Sequence, residues 1–123
     1  MGNEEPTDAA ELIRLYQAGR RDFAGIELDR ETLDLRRACL AGIQFGPGSF
    51  LVADCRDADL RGADLSHCNL KTCDFRGADL RNASFRGSAL DATEFAGAVL
   101  DGADFEDASN QSRTLGPGET PWW

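Results

Sequence analysis

The sequence predicts an all-β solenoid built from five-residue units, and three observations predict it. From Leu35 to Phe105 every fifth residue is Leu or Phe in fourteen of fifteen positions, the exception being Cys55. From Ala38 to Ala108 the residue two before each such centre is small, Ala in nine of fifteen positions, and only Ile43 is large. The last residue of the unit is often glycine, as at Gly42, Gly62, Gly77, Gly87, Gly97 and Gly102. An α-helix does not keep this spacing on one face, because five residues turn it by about 500° and the stripe drifts. Unbroken strand alternation fails as well, because five is odd. A short strand followed by a corner satisfies it. The small and central residues are two apart and both point inward, while their neighbours point outward. Glycine suits the corner.

The elements follow in chain order. Near the N-terminus, Asp8-Ala9-Ala10-Glu11 is a variant capping box. Leu12, Ile13, Leu15 and Tyr16 follow at helical spacing, and Gly19 suits a stop. The spacing predicts a helix over 8–18 that covers the first coil, with a partner-docking helix as the alternative. Phe23 and Leu28 fit an earlier unit in another register, and the step of seven from Leu28 to Leu35 inserts two residues. Gly46-Pro47-Gly48 reshapes one corner, so that Phe50 is read as a centre while Leu51 and Val52 fall outward. These two either form a small contact patch or lie under the N-terminal segment. After Ala108 the pattern stops, Gly116-Pro117-Gly118 reads as a turn, and the chain ends Pro121-Trp122-Trp123. The Trp pair either folds back over Phe95, Leu100 and Phe105 or anchors a partner, and the cap is favoured.

Outward positions are charged in columns. Asp54, Asp59, Asp64, Asp74, Asp79, Glu94 and Asp104 precede their centres, and Arg36, Arg56, Arg61, Lys71, Arg76, Arg81 and Arg86 follow theirs. Like charges stacked between strands repel, and the neighbouring opposite column relieves them.

Units such as Ala58-Asp59-Leu60-Arg61-Gly62, Ala63-Asp64-Leu65 and Ala78-Asp79-Leu80 resemble the A(D/N)LxG unit of pentapeptide-repeat proteins. The stretch from Tyr16 to Phe23 is similar to the leader that precedes the repeats in many bacterial members. The resemblance implies a right-handed quadrilateral parallel β-helix with four units per coil. Residues twenty apart then stack, which makes about four coils, to which the N-terminal reading adds a short α-helical cap. The expected organisation is residues 1–19 as an N-terminal segment with the capping helix, 20–109 as the β-helix, and 110–123 as a C-terminal tail.

Function is less legible. Lys+Arg 13 against Asp+Glu 22 gives a net charge of −9, which disfavours direct nucleic-acid binding and anionic membranes. No apolar run is long enough to span a bilayer, and the polar, acidic start from Met1 to Pro6 is unlike a secretory signal, which points to the cytoplasm. His67, the only histidine, is expected outward at a corner, while Cys55, Cys68 and Cys73 point inward as reduced core thiols and Cys39 points outward. No zinc-type spacing, catalytic triad, phosphate loop or dinucleotide fingerprint is present. A rod filled by its own side chains is expected to have no pocket. No catalytic, cofactor or metal residue is therefore assigned, and no cofactor is expected. The expectation is a non-enzymatic interaction, regulatory or scaffolding module that presents flat faces to a protein partner, as a monomer or an end-to-end homodimer. The alternative is a DNA-mimic inhibitor or protector of a type II topoisomerase such as gyrase, which some longer members of that family are. Residues 35–108 carry only −4 (twelve acids, eight bases), which weakens it.

Overall fold

The computed structural model describes residues 5–111 and 113–123; the first four residues of the polar N-terminal stretch lie outside them. Parallel β-bridges join residues twenty apart on four sides of each turn: Cys39 to Asp59, Gln44 to Asp64, Asp54 to Asp74, and Asn69 to Ala89. The same columns continue upward, for example from Asp59 to Asp79 to Val99. Most sides contribute a single bridge, because a five-residue unit leaves only about three extended residues between corners. Longer pairings occur only where the repeat is irregular, between strand β1 (Glu27–Asp34) and strand β2 (Phe50–Asp54), which run parallel.

The interior is filled. Every central residue from Leu35 to Phe105 is buried except Phe50 and Leu100. Phe75 stacks on Phe95 at 5.4 Å between ring centroids and Phe85 on Phe105 at 4.7 Å, and Phe75 meets Phe85 edge-on from the facing side at 5.4 Å. Aromatic rings from facing sides thus touch across the axis and leave no lumen. Ser49, Ser88 and Thr93 take the small position and satisfy their hydroxyls downward, onto the carbonyls of Phe23 (3.1 Å), Leu65 (2.5 Å) and Leu70 (3.0 Å).

Helix α1 (Ala9–Gln17) forms as its spacing predicts. The Asp8 carboxylate accepts from the Glu11 N–H at 2.8 Å, whereas the return bond to Glu11 comes from the Thr7 N–H at 3.0 Å, one residue earlier than a capping box would place it. The helix stops in a Schellman arrangement: Gly19 (φ +107) donates to Tyr16, and the Arg20 N–H donates to Leu15. Leu12 is fully buried within the same apolar cluster as Phe23 and Leu40, and the Tyr16 hydroxyl donates to the Ala41 carbonyl at 2.6 Å.

One corner departs from expectation. Leu51, expected outward, is 2 % exposed, and Phe50, expected as a centre, is only half-buried. Phe50 bridges Asn69, nineteen residues on, so Leu51 stands under Leu70. The corner through Gly46-Pro47-Gly48 holds one residue more than a regular unit, and the step from Leu51 through β2 to Cys55 holds one fewer. The two deviations cancel by Cys55. Gly46 is required there, since a Cβ would overlap the Ser66 carbonyl and the Asp64 carboxylate. Val52 is half-buried. The predicted insertion before Leu35 is a bulge over 29–32, bracketed by the pairs Leu28 with Leu51 and Leu33 with Ala53.

Candidate protein-interaction surfaces

The outward acids have a local task that their charge alone does not reveal. In unit after unit the residue before the centre accepts, through its side-chain oxygen, from the N–H two residues on: Asp54 from Arg56 (3.2 Å), Asp64 from Ser66 (2.9 Å), Asn69 from Lys71 (3.2 Å) and Asp74 from Arg76 (3.0 Å). This is an Asx turn, and it closes the corner that the left-handed residue then completes. The requirement for Asp or Asn is therefore conformational.

The same carboxylates hold the arginines. On the side centred on Cys55 and Phe75, Arg56 lies 2.7 Å from Asp54 and 3.8 Å from Asp74 above it, and Arg76 lies 2.6 Å from Asp74 and 3.0 Å from Glu94. On the next side Arg61 links Asp59 (2.8 Å) with Asp79 (3.9 Å). The guanidinium hydrogen bonds hold these acids below the usual carboxylate range, Asp34 at about 2 through Arg36. Each acidic column is thus laced to the basic column beside it, and the two sides present a largely neutralised surface.

A shallow hollow of about 300 Å³ opens on the first turns, lined by Asp34, Arg36, Arg37, Arg56 and Asp57. The expectation of no pocket fails at this surface. Arg37, Asp57 and Gly77 follow one another up one corner, all at positive φ, and the Asp57 carboxylate occupies the space that a Cβ on Gly77 would take. Arg36 and Arg56 are tied to Asp34 and Asp54 at 2.9 and 2.7 Å.

The residues singled out in the sequence stay apart. His67 is exposed at a left-handed corner (φ +51), with its ring against Gly87. Cys55, Cys68 and Cys73 are buried and Cys39 is exposed, all as free thiols. Burial pushes the Cys68 thiol up to about 11 and Cys73 to about 12, which makes them poor nucleophiles. Among the described residues no group of His, Cys, Asp and Glu converges to hold a metal ion, and no helix is long and apolar enough to cross a membrane.

The C-terminal end was only partly legible. Strands β3 (Ser109–Asn110) and β4 (Arg113–Thr114) form an antiparallel hairpin, and it carries Leu115 into the core, 1 % exposed, where Leu115 donates to the Ala108 carbonyl at 2.8 Å. Leu115 follows no five-residue spacing, so periodicity missed it. The Trp123 indole donates to the Thr93 carbonyl at 2.9 Å and packs against the core. Trp122 stays 63 % exposed, with Arg113 stacked over it at 4.8 Å. Leu100 is left half-buried beside Ala98, Ala103 and the 43 % exposed Val99.

The comparisons agree with this geometry. The pentapeptide-repeats family model matches in eight copies over residues 53–91 and 78–109, beyond the irregular corner. The crystal structure of alr5209, a pentapeptide repeat protein from Nostoc PCC 7120, is 30 % identical and aligns over 97 % of this chain and 93 % of that one, with a TM-score of 0.56. Rfr23 from the cyanobacterium Cyanothece 51142 is 26 % identical over 76 % of this chain and 62 % of its own, with a TM-score of 0.56. QnrB1, a plasmid-mediated fluoroquinolone resistance protein, is 28 % identical over 74 % of this chain and 47 % of its own, with a TM-score of 0.48. No curated protein matches by sequence. Tandem units, a four-sided parallel stack and a 30 % identical solved relative along nearly the whole length place this chain in the pentapeptide-repeat family, whose members are right-handed β-helices.

Proposed function

We propose that the protein is a non-enzymatic interaction module, regulatory or scaffolding, that presents its flat β-helix faces to a protein partner. The observation that carries this is the combination of a filled interior with outer faces whose charges are already neutralised by their own column neighbours. Such a face costs less to desolvate than one of unpaired charges and keeps its shape when a partner docks. Display of free acids in imitation of a nucleic-acid backbone is the weaker reading, because Asp54, Asp59, Asp74 and Asp79 are each bonded to an arginine. In the same reading α1 caps the first turn of a rod of about four coils, the β-helix spans 20–109, and the chain works in the cytoplasm as a monomer or end-to-end dimer.

Affinity capture from a native lysate, read by mass spectrometry, tests it. The expected result is a specific protein retained at near-stoichiometric yield and released by competing free chain. A chain that retains nothing above control beads under low-salt and physiological conditions overturns the reading.

A further inference from the structure

The last turn breaks the rule that the turns below it obey. In the column centred on Leu40, Leu60 and Leu80, each central N–H donates upward, to Asp59, Asp79 and Val99 at 2.8 to 2.9 Å. The Ala38, Ala58 and Ala78 carbonyls accept from those same residues at 2.9 Å. Above Leu80 the column ends at Ala98-Val99-Leu100. Among the described residues the Ala98 carbonyl and the Leu100 and Gly102 N–H groups have no backbone partner, so an acceptor and two donors lie in a row along one strand edge.

The neighbouring edges of that turn are covered in part, although the Phe95, Gly97 and Phe105 N–H groups there also have no backbone partner among the described residues. Trp123 takes the Thr93 carbonyl with its indole N–H, and Leu115 takes the Ala108 carbonyl and accepts from Asp107. The edge at Leu100 carries no such cover, which leaves Leu100 half-buried and Val99 exposed beside it. An unpaired edge with an apolar flank is a template for strand addition.

Charge selects the occupant. Residues 87–123 hold seven acids and one base, a net −6; Lys71, Arg76 and Arg86 from the turn below pair with Asp91, Glu94, Asp104 and Glu106, so the charge left open at this end is that of Asp101 and Asp107. The ladder inverts at this edge: Val99 stands where Asp59 and Asp79 stand below, and Asp101 where Arg61 and Arg81 stand. Asp101 makes no ion pair among the described residues. A second copy meeting this end with its own C-terminal end would set acid against acid, whereas a basic strand meets complementary charge.

We propose that the bare strand edge Ala98-Val99-Leu100 receives an extended, lysine- or arginine-rich segment of a partner protein by strand addition. This deepens the reading as an interaction module and rests on it.

The test uses the full chain and an acetylated, amidated Lys-Val-Lys-Val-Lys-Val-Lys peptide. The only tryptophans, Trp122 and Trp123, lie at the same end of the rod, Trp123 bonded to the Thr93 carbonyl on the adjacent side, and serve as the reporter, and the peptide has none. A saturable change in tryptophan emission is expected at low salt, with affinity falling about tenfold on going to roughly 0.3 M salt. Asp101→Arg, which extends the existing Arg61 and Arg81 column, is expected to weaken binding about tenfold, whereas Asp29→Arg on the distant bulge makes the same charge change and leaves it within about twofold. Absence of a saturable response, equal loss in both variants, or a dimer in sedimentation equilibrium that the peptide dissociates each overturns the assignment. If the peptide fails while lysate capture still retains a specific partner, only the edge assignment falls.

Discussion

At the residue scale the corner governs what substitutions do. Outside the irregular corner at 45–53, the residue two beyond each centre sits at positive φ whether or not it is glycine: Arg37, Asp57, His67, Thr72, Asn82, Ala92 and Asp107 all have φ between 51 and 66. Asn, Asp and His tolerate this region, but Thr72 is β-branched and pays most for it. Thr72→Gly is therefore expected to stabilise the fold by about 0.5–1 kcal/mol, the left-handed penalty less the extra freedom of an unfolded glycine. Gly77→Ala is expected to cost about 1–3 kcal/mol, because its Cβ would overlap the Asp57 carboxylate as well as strain the backbone. Urea unfolding of the two variants checks both signs, and a destabilised Thr72→Gly would refute this account of the corner. The corner glycines were legible as such in the sequence. The Asx bond was not, because an acid before each centre looks equally like a solvated charge until the N–H it accepts is located.

At the element scale α1 was read almost to its ends, since capping residue, apolar spacing and stop glycine all agree. Its contacts with the rod are the buried Leu12 and the Tyr16 hydroxyl bonded to the Ala41 carbonyl. Leu12→Ala is expected to cost about 2–5 kcal/mol and, in hydrogen exchange, to lower protection around Phe23 and Leu40 before the upper turns. Uniform loss of protection along the rod, or none, would show that α1 does not support that end. The corner before β2 was misread for a physical reason. Phe50 and Leu51 are both apolar, and either satisfies a central position. The extra residue at Gly46-Pro47-Gly48 and the missing one after Leu51 restore the period by Cys55, so the spacing hides both. Only the bridge from Phe50 to Asn69 distinguishes them.

At the scale of the whole molecule, stacking was legible because it is periodic, whereas the bare edge at Leu100 was not, because it depends on where the non-repeating residues Leu115 and Trp123 come to rest. Periodicity also makes the charge columns act together, which gives the fold an acid limb. Asp34, Asp54, Asp59, Asp74 and Asp79 are all held below their ordinary value of 3.8, Asp34 at about 2, with arginine hydrogen bonds as the largest cause. A depressed carboxylate stabilises the native state above its unfolded value and loses that contribution as pH falls through the folded one. The melting temperature is thus expected to fall as pH drops from about 4 toward 2, and less steeply in high salt, which screens exposed pairs. Asp74→Asn separates the two tasks of this residue. Asn69 already shows that an amide oxygen can close the corner, accepting from Lys71 at 3.2 Å. The variant therefore keeps the Asx bond and loses only the ion pairs. It is expected to cost no more than about 1 kcal/mol at neutral pH and to flatten the acid limb. Asp74→Ala loses the corner bond too and should cost more at every pH. Equal stability of the Asn and Ala variants would mean that the carboxylate serves charge alone and that the corner closes without it.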